Sequence, residues 1–442
     1  MIFRASVTLL LTLSGCAARS EFKLARGSSH KPTTTSRTFS GDFWWGVSAS
    51  SYQFEDPGPD EENLGFKTDW DLAYESGFIK YPRANGTWSY SRYDRDIAAM
   101  KSLGLTHFRF SIEWARVEPT PGNFNEAAIR HYVQMCRSLR EAGITPVIAL
   151  WHFTFPSWLS AKTPDSHGWL HPDFQAHWKP YVSRMVEALG PHVDLWAPEC
   201  EPNTYALGAL IGALPPGGGR ASYARYLHTL DIEADAFHSA VAIIRQAQPQ
   251  GRIVAIENTI HWKPDAFDLG RFWFEKGAEF NYYHLDKIVD DCDYIGINYY
   301  FSEVASPLAR VAQSLRSGSH VSDLGWTIDP KGLEKEIAAM SDRYGKPMLI
   351  TENGIADRTD KKRQRYIAEH LKAIEHSLHA GYDVRGYFHW ALVDNFEWAE
   401  GYTAKFGLYS MDPGTKELVA KPSCDMYRSF ISNKRSAVAS AN

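Results

Sequence analysis

One pattern repeats along this chain and limits the folds it can adopt. An amphipathic stretch ends at a glycine, and an apolar, β-branched run follows it, as in DIAAMKSLGLTHFRFS, YVQMCRSLREAGITPVIALW, MVEALGPHVDLW, IAAMSDRYGKPMLIT and HLKAIEHSLHAGYDVRGYFHW. In the last segment, Ile367, Leu371, Ile374 and Leu378 recur at helical spacing, and Gly381 suits the left-handed residue that ends many helices. Repeated alternation of helix and buried strand predicts an α/β fold.

The number of candidate strands indicates how the sheet closes. Eight runs qualify, and they begin at Phe43, Leu105, Ile144, Val193, Arg252, Cys292, Lys346 and Asp383. Eight such strands fit a single (β/α)8 TIM barrel with enlarged βα loops, which we place at residues 39–432. The alternative is a doubly wound open sheet, but no GxGxxG motif follows an early strand.

The N-terminus resembles an export signal. MIFRASVTLLLTLSGCAARS has one arginine before an apolar run much shorter than the ~20 residues that span a bilayer. Its LSGC is similar to a bacterial lipobox, which predicts a signal peptide over residues 1–16 and a membrane anchor through lipidated Cys16. The alternatives are a secreted or periplasmic protein, or an organellar one, since the polar tether at residues 17–38 is rich in Ser, Thr, Arg and Lys. Residues 433–442 are predicted to be a disordered tail.

Charge and cysteine content exclude other classes. The chain has 47 basic and 52 acidic residues and no basic block, which argues against nucleic-acid binding. Beyond Cys16, four cysteines without CxxC spacing suggest neither a zinc site nor a disulfide framework, and no cofactor is implied: Cys136, Cys200, Cys292 and Cys424. The oligomeric state stays open.

Polar and aromatic residues follow the predicted strands, and a barrel brings them to one mouth. They are Gln53, Arg109, His152, Glu201, Asn298, Tyr300, Glu352 and Trp390. Glu201 follows the fourth strand and Glu352 the seventh. Glycoside hydrolysis needs two acids across a cleft, because one protonates the leaving oxygen while the other attacks or activates water. The sequence therefore points to this chemistry.

Motifs in a fixed order carry a family resemblance. FWWGVSASSYQFE, ALWHFTFPSWL, WAPECEPN, DYIGINYY, ITENGIAD and VRGYFHWALVDNFEWAEGY follow one another along the chain. From about Phe39 to Phe430 the chain resembles glycoside hydrolase family 1, the β-glucosidase and β-galactosidase family. The resemblance implies a retaining exo-β-glycosidase that acts by double displacement, with Glu352 of TENG as nucleophile and Glu201 as acid/base.

The resemblance also assigns substrate contacts. Gln53, His152 and Glu397 would bind sugar hydroxyls. Arg109 and Tyr300 would orient the nucleophile and keep it ionised. The implied substrate-binding set is Gln53, His152, Cys200, Asn298, Tyr300, Trp326, Trp390, Glu397, Trp398 and Phe406. Within it, Trp390 would lie under the sugar ring, Phe406 would border C6, and Trp326 would face the leaving group. The carboxylate of Glu397 argues against 6-phospho sugars, which it would repel.

Two residues depart from the family pattern. Cys200 stands where the family has an asparagine that holds the sugar's 2-hydroxyl, and a thiol is a weak donor and acceptor. A slow hydrolase, an enzyme for a sugar that differs at C2, and a former enzyme kept as a binder are the three interpretations. Glu199 is acidic where the family is apolar, and strand alternation would put it on the same side as Glu201. It would then either pair with a buried basic side chain or raise the pKa of Glu201 by repulsion.

Hydrolysis of a β-linked glycoside is the expected function. Transglycosylation of glycosides or glycolipids by the same two carboxylates is one alternative, and a low-turnover carbohydrate-binding lipoprotein is another. Retention requires the two carboxyl groups to be ~5–5.5 Å apart. The sequence does not separate glucose, galactose, fucose and mannose, nor does it identify the natural aglycone.

Overall fold

The computed structural model describes residues 37–160, 166–215, 222–264, 271–305 and 318–441. The predicted signal peptide, Cys16 and nearly all of the polar tether lie outside these ranges, so export and lipidation stay predictions. Among the described residues, no helix has both the length and the hydropathy needed to cross a bilayer.

Eight parallel strands close into a barrel, as the repeated pattern predicted. In chain order the strands are β1 (Trp44–Ser48), β2 (His107–Ser111), β3 (Thr145–Ala149), β4 (Leu195–Ala197), β5 (Arg252–Asn258), β6 (His261–Lys263), β7 (Tyr294–Asn298), β8 (Ser302–Val304), β9 (Met348–Asn353), β10 (Val384–His389), β11 (Tyr409–Met411) and β12 (Leu418–Ala420). The barrel order is β1-β2-β3-β4-β5-β7-β9-β10, and β10 pairs with β1. The pairs β6-β8 and β11-β12 form two small sheets outside the barrel.

The inside of the barrel is a packed core. Its buried apolar side chains come from β3, β4, β5, β9 and β10 and include Val147, Leu195, Ile256 and Phe388. Gly46 on β1 makes room for one of them, because a Cβ at this position would lie 2.4 Å from Cδ1 of Phe388. Side chains fill the interior of such a barrel, so a ligand site is expected at the ends of its strands.

Helices lie around the barrel and in the loops beyond the strand ends. They are α1 (Ser51–Phe54), α2 (Asp60–Asn63), α3 (Asp69–Glu75), α4 (Tyr93–Ser102), α5 (Trp114–Val117), α6 (Glu126–Glu141), α7 (Phe174–Leu189), α8 (Pro202–Leu210), α9 (Tyr223–Ala247), α10 (Arg271–Tyr282), α11 (Leu285–Ile288), α12 (Pro330–Tyr344), α13 (Lys361–His379) and α14 (Pro422–Ala441). On α13 the four predicted apolar positions are buried, and Gly381 follows the helix with a φ of +90°, as expected. The apolar stripe of α13 therefore fixes this helix on the sheet.

The predicted disordered tail at residues 433–442 is wrong for residues 433–441, since α14 continues through them. The start of this helix is held by Cys424, Tyr427 and Ile431, which are buried at helical spacing. Lys434 forms an ion pair with Glu375 of α13. The polar composition of the tail concealed a helix that is fixed by packing at its beginning.

Candidate active site

A cleft of about 1110 Å³ opens at the C-terminal ends of the barrel strands. Glu201, just beyond β4, and Glu352, in β9, both line it although 151 residues separate them. Seven more residues predicted from the sequence also line it: His152, Tyr300, Trp326, Trp390, Glu397, Trp398 and Phe406. The barrel therefore brings two carboxyl groups and an aromatic surface to one concave site.

Glu352 is held by two donors on its two oxygens. The guanidinium of Arg109, on β2, donates to Oε1, and the hydroxyl of Tyr300 donates to Oε2. Arg109 is fully buried, so its charge acts on Glu352 with little screening by solvent. Burial raises the pKa of Tyr300 well above its usual value, which keeps the hydroxyl protonated and donating. An adjacent positive charge and two hydrogen bonds favour the ionised form of Glu352.

Glu201 has a different environment. Two neutral amides contact its carboxyl group: Nδ2 of Asn298 lies 2.7 Å from Oε1, and Nδ2 of Asn258 lies 3.3 Å from Oε2. Burial is the main cause that raises the pKa of Glu201, and these donors only partly oppose it. Burial thereby shifts Glu201 toward its protonated form. The two carboxyl groups therefore have opposite surroundings, one beside a fixed positive charge and the other beside neutral amides.

Cys200 lies beneath the cleft rather than on its wall. Its Sγ is 3.4 Å from Nη1 of Arg109, 3.8 Å from Nδ2 of Asn298 and 3.8 Å from Oε1 of Glu352. The side chain has no exposed surface, and burial raises the pKa of the thiol to about 12. Cys200 is therefore a neutral thiol next to the carboxylate of Glu352, too short to line the cleft. Cys200 was predicted to bind the substrate, but it has no exposed surface with which to contact one directly.

Glu199 does not share the side of Glu201, and the expectation from strand alternation is wrong. The strand β4 ends at Ala197, and Glu201 has a left-handed backbone with φ of +52°, which turns its side chain into the cleft. Glu199 instead faces the helix layer, where its Oε2 lies 3.6 Å from Nε2 of His284. Burial accounts for the raised pKa of Glu201 without repulsion from Glu199.

The polar end of the cleft is built around Glu397. Nε2 of Gln53 donates to the Phe396 carbonyl at 2.9 Å and lies 3.4 Å from Oε2 of Glu397. Burial raises the pKa of Glu397 to about 8. At neutral pH Glu397 is therefore mostly uncharged in the unliganded protein, so the predicted repulsion of a sugar phosphate would be complete only at higher pH. Gln53 itself is fully buried and supports Glu397 from behind.

His152 is a neutral hydrogen-bonding group in the same end of the cleft. Arg109 Nη1 lies 3.1 Å from its Nδ1, so the guanidinium donates to Nδ1 and Nε2 carries the ring proton. Burial, followed by the charge of Arg109, lowers the pKa of His152 well below its usual value. His152 therefore offers one N–H to a ligand.

Aromatic rings form the remaining walls. A Cβ at position 354 would lie 1.9 Å from the carbonyl oxygen of Trp390, so Gly354 is what lets the Trp390 backbone approach the strand that carries Glu352. The ring of Trp326 lies 5.6 Å from that of Tyr300 and 6.0 Å from that of Phe406. The indole of Trp390 and this aromatic cluster both line the cleft.

Comparison with known proteins fits this geometry. The sequence matches the family described as Glycosyl hydrolase family 1 over residues 35–267 and 275–436. The chain belongs to glycosyl hydrolase family 1. It is 28% identical to a β-galactosidase from Pyrococcus woesei over 89% of this chain and 97% of that protein. It is 29% identical to a bifunctional β-D-glucosidase/β-D-fucosidase from Bifidobacterium breve over 89% of this chain and 98% of that protein.

Solved structures agree with the family. The β-glucosidase from Thermotoga maritima in complex with glucoimidazole superposes with a TM-score of 0.80 at 25% identity, covering 90% of this chain and 99% of that one. Fpglu1 from a Fervidobacterium superposes with a TM-score of 0.80 at 27% identity and covers 90% and 96%. This chain is therefore a glycoside hydrolase built on the predicted barrel.

Some residues of this family 1 hydrolase were missed by the sequence analysis. Asn258 ends β5 and donates to Glu201, and the same rule that selected the other strand ends would have found it. A second group is apolar and comes from α8 and the loops: Leu207, Ala213, Leu214, Phe301 and Leu324. No sequence signal marks this group, because loop paths decide which apolar side chains reach the cleft.

A metal does not fit the centre of the cleft. Ligand atoms of His152, Cys200 and Glu352 lie within 4.8 Å of one another. Arg109, however, donates to Glu352 and His152 and contacts the Cys200 thiol. A cation among these three groups would sit beside a fixed, buried positive charge, and it would also need a thiolate from a thiol whose pKa is about 12.

Proposed function

We propose that this family 1 enzyme is a retaining exo-β-glycosidase in which Glu352 is the nucleophile and Glu201 the acid/base. The observation that carries the proposal is the opposite environment of the two carboxyl groups in one cleft. Glu352 accepts hydrogen bonds from Arg109 and Tyr300, while burial raises the pKa of Glu201. These are the states that the first step of double displacement requires.

The reaction proceeds in two steps. A carboxylate oxygen of Glu352 attacks the anomeric carbon, and the bond to the leaving oxygen breaks as Glu201 gives that oxygen its proton. Glu201 is now a carboxylate, which the amides of Asn258 and Asn298 stabilise by donating to it. It then removes a proton from water, which attacks the anomeric carbon and releases Glu352 with net retention.

The polar end of the cleft is suited to a terminal sugar. His152 offers an N–H, and Glu397, mostly protonated at neutral pH, offers an O–H and a carbonyl oxygen. An apolar face of the sugar ring would stack on Trp390. Glucose, galactose and fucose are the sugars we propose to test first, because the named relatives are a β-galactosidase and a β-D-glucosidase/β-D-fucosidase.

Part of the lining favours an apolar leaving group. Leu207, Leu214, Phe301 and Leu324 line the same cleft as Trp326, so a leaving group made of hydroxyl-rich sugar would find few polar partners among these side chains. Burying an apolar surface contributes about 25 cal/mol per Å². We therefore propose aryl or alkyl β-glycosides as the substrate class. The binding-only alternative is not favoured, because both carboxyl groups and the donors that hold them are present.

Azide rescue would test the two roles. Glu352→Ala should abolish turnover of an activated aryl β-glycoside, and azide should restore it with an α-glycosyl azide as product. Glu201→Ala should retain the first step on such a substrate, and azide should give the β-glycosyl azide instead. Glu400→Gln, in the same cleft, is the control and should lose less than about tenfold in kcat. Equal losses in all three variants, or one azide anomer from both alanine variants, would reject the assignment.

A further inference from the structure

A chain of hydrogen bonds connects the strand of the nucleophile to the acid/base. Oγ1 of Thr351, in β9, lies 2.7 Å from Oδ1 of Asn298, the last residue of β7. Nδ2 of the same carboxamide lies 2.7 Å from Oε1 of Glu201. Thr351 and Asn298 are both buried, so no bulk solvent competes for these contacts. Thr351 has none of the catalytic roles given above, although it directly precedes Glu352.

A register shift between β7 and β9 places Thr351 at this point. From residue 297 to residue 298 of β7, the paired residue of β9 advances from Ile350 to Glu352, so Thr351 is an extra residue in β9. Irregularities of this kind redirect a side chain and are common beside active sites. Gly296 of β7 makes room for it, since a Cβ there would lie 2.9 Å from Oγ1 of Thr351. The backbone of both strands therefore accommodates a hydroxyl at this position.

The hydroxyl of Thr351 determines which way round the carboxamide of Asn298 lies. Among the described residues, Oδ1 of Asn298 is the only hydrogen-bond partner of this hydroxyl, which therefore donates its proton there. The NH2 group must then point the other way, toward Oε1 of Glu201 and, at 3.8 Å, the sulfur of Cys200. A reversed amide would put its carbonyl oxygen against the Glu201 carboxylate and leave the Thr351 proton without an acceptor.

The orientation of this amide matters because Glu201 acts in two protonation states. It gives up a proton in the first step and is a carboxylate that accepts one in the second. Burial raises the pKa of Glu201, and Asn298 is the foremost of the donors that oppose this rise. A donor already fixed in place stabilises the carboxylate without reorganisation. That stabilisation disappears if the amide reverses.

We propose that Thr351 is a positioning residue for the acid/base, and that its hydroxyl holds the NH2 group of Asn298 toward Glu201 in both steps. The proposal rests on the role given to Glu201 under the proposed function. The charged and titratable groups around Glu201 are Arg109, His152, Cys200, Tyr300, Glu352 and Glu397. Thr351 is uncharged, so its replacement leaves all of these charges in place. A change in the titration of Glu201 would therefore report the amide.

Titration of Glu201 by NMR tests the positioning without turnover. The full chain is labelled with ¹³C at the glutamate side-chain carboxyl groups, and Glu201→Gln identifies the signal of Glu201. Thr351→Val replaces the hydroxyl by a methyl group of similar size. It should raise the pKa of Glu201 by about one pH unit, because the released amide can turn its carbonyl toward the acid. Thr351→Ser keeps a hydroxyl and should titrate like the wild type.

Kinetics supply the second measurement. The basic limb of the kcat/KM profile for an aryl β-glycoside should move to higher pH in Thr351→Val by the same amount as the NMR titration. Thr229→Val is the control: it removes another threonine hydroxyl, which lies 2.9 Å from the Arg225 carbonyl within α9, and should leave both measurements unchanged. Thermal melts establish that each variant is folded.

A double-substitution cycle decides whether Thr351 acts through Asn298. In an Asn298→Ala background, Thr351→Val should have no further effect on the pKa of Glu201. An unmoved pKa in folded Thr351→Val, or equal shifts with and without Asn298, would overturn the proposal. A shifted NMR titration with an unmoved basic limb would uphold the contact between Thr351, Asn298 and Glu201 and would instead reject Glu201 as the catalytic acid.

Discussion

Cys200→Asn should raise turnover of sugars that carry a 2-hydroxyl. The thiol lies 3.8 Å from Oε1 of Glu352 but has no surface in the cleft. A longer carboxamide at position 200 would extend from the same backbone toward the carbon next to the attacked one. A hydrogen bond between the uncharged carboxamide and the hydroxyl contributes about 0.5–1.5 kcal/mol, and tenfold in rate corresponds to about 1.4 kcal/mol. We therefore expect kcat/KM to rise by about 2- to 10-fold.

The assay compares an aryl β-glucoside with its 2-deoxy analogue. Only the substrate with the hydroxyl should gain, since the deoxy sugar has no group to accept or donate there. Cys200→Ala is the control: it removes the sulfur without adding a donor and should gain on neither substrate. Because Cys200 is packed inside the barrel, the larger asparagine should lower stability by about 1–3 kcal/mol, which a thermal melt would report. Equal gains on both sugars, or no gain in a folded variant, would refute the reasoning.

Four further outcomes follow from the structure. Asn258→Leu removes a donor to the carboxylate of Glu201, so the basic limb of the kcat/KM profile should move to higher pH; an unmoved limb would separate Asn258 from that proton. Glu397→Gln should cost little below pH 8, where Glu397 is neutral, and more above it; a KM ratio independent of pH would contradict this. Leu214→Ala should lower kcat/KM for octyl glycosides by about tenfold or more and leave methyl glycosides unchanged, and equal losses on both would place Leu214 outside the leaving-group site. Folding raises the pKa of Glu113 from 4.5 to about 7, so its contribution to the free energy of unfolding is present below pH 4.5 and is lost as pH rises through 7. Glu113→Gln should therefore make the free energy of unfolding, measured by denaturant titration, less dependent on pH between 4.5 and 7. An unchanged pH dependence would reject this prediction.

The barrel was predictable because its signals are local. Each strand is a short buried run after a glycine, and eight runs of this kind leave few architectures. The residues at which each strand begins and ends were less predictable. The fourth strand was expected to begin at Val193, but it runs only from Leu195 to Ala197, since Pro198 lacks an N–H and Glu201 leaves the extended conformation. Regular strand pairing therefore stops early, although Cys200 still forms a bridge with Ile256.

The site was predictable only where topology determines it. Glu201 follows β4 and Glu352 lies near the end of β9, so barrel closure alone brings them to one mouth. The side of Glu199 was not predictable, because the alternation breaks just before it: Ala197 and Cys200 both face the barrel interior although they are three positions apart. The leucines of the cleft were not predictable either, because the paths of long loops place them. Local pattern thus located the acids, whereas three-dimensional packing determined their surroundings.

The left-handed backbone at Glu201 gives three consecutive residues three separate neighbourhoods. Position 199 belongs to the layer outside the barrel, position 200 to its interior and position 201 to the solvent-facing cleft. A mutational scan through this tripeptide should therefore produce three unlike phenotypes in succession: altered heat resistance, altered sugar preference and altered pH response. Sugar preference and pH response can therefore be tuned at neighbouring positions, although a change at position 200 also carries the stability cost of repacking the barrel interior.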